Sequence, residues 1–291
     1  MNSEPAFAVD LRSAPPSLWR QGRLLTRSAL VLLSLFVLLG VSTWFGLWGD
    51  AATTTTGLLH GPASMEHWLG TNAIGQDIAA RASAGAATAF ETGLAVALLA
   101  TALGGALGIL AGYYHRRWPD HLVSWLLAVL DAVPFYLLVG ALAYAAQGAP
   151  GTIVLALTLA FWTGTARLVR AETLKLRETG FVLAAMTQGV ADWKILTRHV
   201  APNAAHLLLI QGTITFVAAV KSEVVLSFLG LGDGRGISWG QMIAESSQDV
   251  LAGHFTGFVV ASGSLILLVT ALNVITDDLQ DSLDPRYSGL T

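Results

Sequence analysis

Long apolar runs without charged residues constrain the fold of this chain more than any other feature. A helix needs roughly 20 mainly apolar residues to cross the hydrocarbon core of a bilayer. Six segments approach that length: 28–48, 93–111, 122–146, 151–166, 204–220 and 255–276. Asp131 and Pro134 interrupt the third. The sequence therefore predicts an all-α membrane protein with six transmembrane helices. The first segment exceeds the roughly 7–15-residue apolar core of a signal peptide, so we interpret it as a membrane helix.

The composition excludes several classes of protein. Only 12% of the 291 residues are charged and 54% are hydrophobic, whereas a soluble domain carries about 25% charged residues. A chain this apolar is neither disordered nor a water-soluble single domain. The absence of cysteine excludes disulfides and cysteine-ligated metals. A net charge of −3 is not that of a nucleic-acid-binding protein, so we expect lipid as surroundings and no nucleic acid as partner.

The distribution of basic residues predicts the orientation in the membrane. With a cytoplasmic N-terminus, 13 of the 16 lysines and arginines fall on the inner side. The positive-inside rule therefore predicts that both termini are cytoplasmic. We accordingly divide the chain into a cytoplasmic tail (1–27), a first transmembrane helix (28–49), an extracytoplasmic loop (50–87), a transmembrane domain of five helices (88–279) and a second cytoplasmic tail (280–291).

Small residues recur at helical spacing in the second span. Gly104, Gly108 and Gly112 form a stripe that lets a neighbouring helix approach closely. Gly253 and Gly257 repeat the spacing at the start of the last span. We expect helix packing within the chain here rather than a dedicated dimerisation seam.

A few charged residues fall within the spans, where an ionised group costs several kcal/mol unless it faces water or a partner. They are Asp131 in the third span and the pair Lys221 and Glu223 near the outer end of the fifth. Asp131 and Glu223 are candidates for lining a translocation pathway. The alternative is a satisfied boundary group, which we favour for Asp131 and weigh equally for Glu223.

Enzyme signatures are missing from the sequence. It contains no phosphate-binding G-x-x-x-x-G-K-[S/T] loop, no H-E-x-x-H and no G-x-S-x-G. The seven histidines are scattered without ligand spacing. We therefore expect no catalytic residue, no metal site and no cofactor bound by this chain.

The inner loop over residues 167–202 is the most informative segment. It holds nine of the 35 charged residues, and loops longer than roughly 12–15 residues are uncommon unless they are functional. Phe181, Ala184, Ala185 and Gln188 fall at helical spacing, and Gly189 predicts the end of that helix. Asp192 predicts the cap of a second short helix that passes His199 and ends at Pro202. Two such helices predict a docking surface for a soluble partner; an amphipathic helix lying on the membrane is the alternative.

This loop resembles the coupling loop of the permease subunits of bacterial ATP-binding-cassette importers. Their signature is E-A-A, three residues, Gly, nine residues and I-x-L-P. Ala184, Ala185, Gly189 and Pro202 match it, whereas Leu183, His199 and Ala201 depart from it. The stretch R-H-V-A-P-N at 198–203 is similar to the oligopeptide, dipeptide and nickel branch of these importers.

Further stretches resemble the same branch, in the expected order along the chain. W-L-G-T-N-A-I-G-Q-D at 68–77 resembles the segment before span two, with Asn72 and Gln76 as departures. E-V-V-L-S-F-L-G-L-G at 223–232, with W-G-Q-M from Trp239, resembles the outer loop after span five. A-G-Y-Y at 111–114 and D-A-V-P at 131–134 are smaller matches.

The resemblance implies a fold, a function and partners. It implies a type I importer permease, the C-type subunit, with residues 88–279 as the permease domain. The function implied is binding-protein-dependent import across the bacterial cytoplasmic membrane, for di- or oligopeptides, or else for nickel or another small solute. The partners implied are a second permease, two ATPase subunits that bind ATP and Mg, and an extracytoplasmic substrate-binding protein.

The residues that would couple to the ATPase are those of the loop: Phe181, Ala184, Ala185, Gln188, Gly189, Asp192, His199 and Pro202. A proton- or ion-coupled secondary transporter is the alternative from another class. It would show internal repeats and paired broken helices, and the sequence shows no clear repeat.

Overall fold

Helices account for the secondary structure throughout the part of the chain described by the computed structural model, which covers residues 16–145, 149, 151–232 and 236–283. They are α1 (Pro16–Trp44), α2 (Ile78–Tyr113), α3 (Trp118–Asp131), α4 (Phe135–Ala145), α5 (Thr152–Arg177), α6 (Gly180–Thr187), α7 (Asp192–Ile195), α8 (Ala201–Phe228), α9 (Trp239–Leu251) and α10 (Thr256–Leu283). Within those residues the β-structure is one isolated bridge, between Thr71 and Asp77. The predicted all-α fold is confirmed.

Among the described residues, five helices are long and apolar enough to cross a membrane, and α3 and α4 together form a sixth span if the bent pair crosses as one unit. The helices extend beyond the apolar runs that predicted them. α2 begins at Ile78, inside the segment that we assigned to the loop 50–87, because Asp77 caps it by accepting the N–H of Ala80 at 2.8 Å. Most of the two predicted tails, including 1–15 and 284–291, lies outside the described residues.

The seam between α2 and α5 forms the centre of the bundle. A β-carbon at Gly104 would lie 2.5 Å from the carbonyl oxygen of Trp162, and one at Gly108 would lie 2.7 Å from that of Ala166. Only glycine permits backbones to approach this closely. The stripe predicted from spacing therefore serves helix packing within the chain, as expected. Of the second glycine pair, Gly257 packs against Ser246 of α9, whereas Gly253 lies in an open turn.

The third span is broken. α3 ends at Asp131, α4 begins at Phe135, and the two axes differ by 89°. Pro134 lacks the N–H that a continuing helix requires, and it also disfavours helical conformation at the residue before it. Its carbonyl instead accepts the N–H groups of Leu137 and Leu138, both at 3.0 Å, and so starts α4.

At the end of the bundle opposite α6, the short helix α9 packs onto α2 and α8. Trp239 is 1% exposed and donates its indole N–H to the carbonyl of Ala82 at 3.0 Å. A β-carbon at Gly85 would overlap this indole, and one at Gly240 would lie 2.1 Å from the carbonyl oxygen of Val224. Trp239 and Gly240 of the W-G-Q-M stretch therefore pack α9 against α2 and α8.

Candidate coupling surface and charged pathway residues

Helix α6 lies at the end of the bundle where α2 and α5 terminate, and it has two different faces. Val182 and Ala185 are buried in an apolar cluster with Tyr113, Ile195 and Val200. The opposite face exposes Phe181, Ala184 and Gln188. The predicted coupling residues are therefore divided. Ala185 holds α6 to the bundle, and the other three form an outward surface, which we call the α6 ridge.

The predicted end of α6 is confirmed. The N–H of Gly189 donates to the carbonyl of Met186 at 3.1 Å, and its backbone has a φ of +70°. That left-handed conformation disfavours residues with a β-carbon, which explains why a glycine closes this helix. Gly189 itself is exposed beside the α6 ridge.

The predicted second short helix is wrong in its extent. α7 continues through a π-helical turn, Leu196–Val200, directly into α8, and a single helix runs Asp192–Phe228. Pro202 lies in the first turn of α8, where a missing N–H is tolerated. His199 lies within the π-helical turn, and its carbonyl accepts the side-chain amide of Asn203 at 2.6 Å. The loop is therefore built as one short helix followed by the start of a span.

The predicted capping role of Asp192 is also wrong. Ala191 occupies the cap position of α7, and no side chain caps it. The Asp192 carboxylate instead accepts hydrogen bonds from the hydroxyls of Tyr113 at 2.7 Å and Tyr114 at 3.1 Å. Burial raises the pKa of Tyr114, and the bond to Asp192 raises it further, so this hydroxyl stays protonated and donates. Asp192 thus ties the loop to the end of α2.

An ion pair between the buried Asp120 and the half-buried Arg170 joins α3 to α5 at the same end of the bundle. Arg170 donates from Nε to Oδ1 of Asp120 at 2.7 Å and from Nη2 to Oδ2 at 3.1 Å. The carboxylate also accepts the N–H of Arg116 at 2.9 Å and lies 2.9 Å from Nδ1 of His115. Asp120 was not predicted from the sequence, where its position near the start of α3, after a cluster of cations, was the available signal.

Replacing Asp120 with alanine should destabilise the protein by about 1–3 kcal/mol, because charged donors lose their buried acceptor. Thermal unfolding of the purified protein in detergent measures this. The matched control is Glu172→Ala, which removes the exposed pair with Lys175 and should cost no more than about 0.5 kcal/mol. Equal melting temperatures for the two variants would contradict the structural role of the Asp120 pair.

Asp131 pairs with Arg167 of α5, and Oδ2 accepts a hydrogen bond from Nη2. Both side chains are exposed on the surface of the chain: Asp131 is 44% exposed and Arg167 is 53% exposed. Asp131 is thus ion-paired, as the boundary interpretation requires, yet the pair is not buried within the chain.

Glu223 is buried near the C-terminal end of α8, where its Oε1 accepts a hydrogen bond from the hydroxyl of Ser227 at 2.6 Å. It lines an open cavity of about 480 Å³ together with Thr88, Glu91 and Gln241. Asp131 is not among the residues that line this cavity. The two predicted pathway carboxylates are therefore not brought together in one site.

The described residues contain no group of three or more histidine or acidic side chains that could hold a metal ion. The histidines instead make local contacts, such as the stacked rings of His60 and His254, whose centroids are 3.8 Å apart. At the α6 end, the described residues form an exposed helix face near the ion pair of Asp120 with Arg170.

Comparison with known proteins identifies the family. Residues 104–289 match the family described as binding-protein-dependent transport system inner membrane component. The chain is 34% identical over 232 residues to the oligopeptide transport system permease protein OppC of Mycobacterium tuberculosis, covering 79% of each chain. It is 35% identical over 226 residues to the dipeptide transport system permease protein DppC of Bacillus subtilis, covering 77% of this chain and 70% of that one. A DppC of Alkalihalophilus pseudofirmus is 33% identical over 304 residues and 99% of both chains.

These matches extend over both the helical bundle and the α6 loop, and they agree with the resemblance drawn from the motifs. The chain is therefore a multi-pass membrane protein that belongs to the family of binding-protein-dependent transport system inner membrane components.

Proposed function

We propose that this chain is one of two permease subunits of an ATP-driven importer, and that its substrates are di- or oligopeptides. The peptide assignment rests on the relatives named as oligopeptide and dipeptide permeases. The chain itself carries no catalysis. Two ATPase subunits hydrolyse ATP with Mg, and a substrate-binding protein delivers the solute from outside. Both termini and the α6 loop face the cytoplasm, consistent with the 13 basic residues placed on that side.

The observation that carries this proposal is the α6 ridge. Phe181 is 46% exposed and offers an apolar contact for a partner. The small side chain of Ala184 beside it does not protrude, so a partner can approach the ridge closely. The inner face of α6 packs in a buried cluster with residues of α2 and of the helix that continues into α8, and Asp192 is hydrogen-bonded to α2. A displacement of the ridge is therefore transmitted to α2 and α8. ATP binding can shift the permease between two states only through contacts that differ between them, and this surface is suited to provide such contacts.

Replacing Ala184 with arginine should block ATPase docking, because a long charged side chain on the ridge prevents close approach. Co-purification of the ATPase subunits with the variant should fall at least tenfold, the effect of losing about 1.4 kcal/mol of binding free energy. Uptake into proteoliposomes should fall in parallel.

Ala184→Ser is the control, since serine is also small and uncharged, and this variant should assemble normally. Normal assembly and uptake in Ala184→Arg would refute docking at this surface. Failure of wild-type chain to co-purify with any ATPase would instead favour a secondary transporter. Uptake of nickel but not of peptides would leave the importer intact and change its substrate.

A further inference from the structure

The break between α3 and α4 leaves an unusual surface on the chain. Residues 131–134 are all exposed, and they include backbone that belongs to no helix. The Asp131–Arg167 pair lies on the same surface and connects the end of α3 to α5. We call residues 131–134 together with Arg167 the break surface.

The break surface lies between two apolar clusters of the bundle, and Arg167 at its edge is one helical turn from Arg170 at the α6 end. Along α3, Val123 and Leu127 belong to a buried cluster with Ala100 and Ala111 of α2. Beyond the break, Val139 of α4 belongs to another cluster with Val96 of α2. The break therefore falls between the cluster that α3 joins and the cluster that α4 joins, and apolar side chains lie on both sides of it.

Lipid does not suit the break surface between these clusters. Irregular backbone within a membrane is tolerated only where protein or a water-filled cavity covers it. Ionised side chains within spans likewise face the bundle interior or water. Other exposed positions of the spans, such as Leu38 at 65% and Ile266 at 63%, are apolar and suit lipid. The break surface must therefore face an aqueous space or another subunit.

We propose that the break surface lines the aqueous path between this chain and the second permease, and that the Asp131–Arg167 pair is a latch that zwitterionic solutes open. The proposal rests on the proposed function, which supplies the second permease and the peptide substrate. When the pair separates, Asp131 offers a carboxylate to an ammonium group and Arg167 offers a guanidinium to a carboxylate. A peptide with free termini carries both groups, so it replaces each partner without leaving a charge unpaired.

The absence of cysteine from the chain permits a direct test of the aqueous face. Val133 belongs to the break surface, and Tyr136 lies directly beyond it in the first turn of α4, where it is 49% exposed. Single substitutions Val133→Cys and Tyr136→Cys, in the complete transporter in membranes, are treated with a membrane-impermeant cationic methanethiosulfonate. Leu38→Cys and Ile266→Cys are the matched controls. Labelling at 133 and 136 should be at least about tenfold faster than at the controls, because the reactive thiolate forms in water and not in lipid. Equal or slower labelling at 133 and 136 would overturn the assignment.

The latch is tested by uptake in proteoliposomes with Arg167→Gln and Asp131→Asn. Uptake of a tripeptide with free termini should fall about tenfold in each, as expected when a charge-assisted contact is lost. Uptake of the same tripeptide with acetylated and amidated termini should change much less. An equal loss for both peptides would indicate a merely structural pair and overturn the latch.

The two proposals fail in distinguishable ways. If wild-type transporter imports neither tripeptide, the proposed peptide substrate is wrong and peptide exchange at the latch is wrong with it. The labelling pattern would still decide whether the break surface faces water, because it needs no substrate. If wild type imports peptides and neither variant alters the preference for free termini, only the latch fails.

Discussion

Replacing Gly108 with valine is expected to lower the melting temperature of the protein by about 2–12 °C. The β-carbon alone would lie 2.7 Å from the carbonyl oxygen of Ala166 and 3.0 Å from the β-carbon of Val169. Both belong to α5, so α2 and α5 must separate to admit it. Overpacking of a tight interior costs about 1–3 kcal/mol, and each kcal/mol moves the midpoint by about 2–4 °C in a domain of this size. Thermal unfolding in detergent measures the shift.

Gly263 provides the control for this substitution. It lies in the middle of α10, where an added β-carbon would meet nothing within 4 Å. Gly263→Ala should leave the melting temperature unchanged or raise it slightly, since alanine is the better helix former. If Gly108→Val and Gly263→Ala melted at the same temperature, the α2–α5 seam would not be the centre of the fold.

Removing the Asp192 carboxylate is expected to uncouple ATP hydrolysis from transport. Asp192→Ala deletes the acceptor of two tyrosine hydroxyls, each bond to a charged group contributing about 1.5–3 kcal/mol. The α6 ridge stays exposed, so we expect the proposed ATPase docking to persist, but the loop is no longer held to the end of α2. Uptake should fall at least tenfold, while ATPase activity of the assembled transporter should persist.

Variants of the two tyrosines separate the contributions of their hydrogen bonds to Asp192. Tyr113→Phe and Tyr114→Phe each remove one donor, and the double variant should match the Asp192→Ala phenotype. Asp192→Asn keeps an acceptor oxygen and should retain more uptake than Asp192→Ala. Parallel loss of ATPase activity and uptake in Asp192→Ala would mean that Asp192 supports docking or folding, and coupling through α2 would be refuted.

Local signals in the sequence predicted the elements correctly where a single residue type controls the backbone. Apolar runs predicted the spans, Gly189 predicted the end of α6, and Pro134 predicted the interruption of the third span. Each follows from a local preference for lipid, for positive φ or against an amide donor. The helix α6 itself was predicted for the same reason, whereas the coupling role of its residues stays a prediction.

Partners distant in sequence were not predicted. Asp192 looks like a helix cap in sequence, but its acceptors are taken by tyrosines 78 and 79 positions earlier. Pro202 looks like a helix end, but the π-helical turn before it lets the helix continue into α8. For Asp192, tertiary contacts override a local capping preference worth about 1 kcal/mol.

By itself the sequence determined that this is an all-α membrane protein, where its long apolar runs lie, and where the short helix α6 ends. These properties depend on hydrophobicity and local backbone preference, which are set by residues close to one another in the sequence. Only the tertiary structure decided that Ala185 faces inward while Ala184 faces outward, and that Asp192 holds α2. It also decided that Asp131 and Arg167 meet at the break surface. Charges find their partners through packing of whole helices, which no short stretch of sequence specifies.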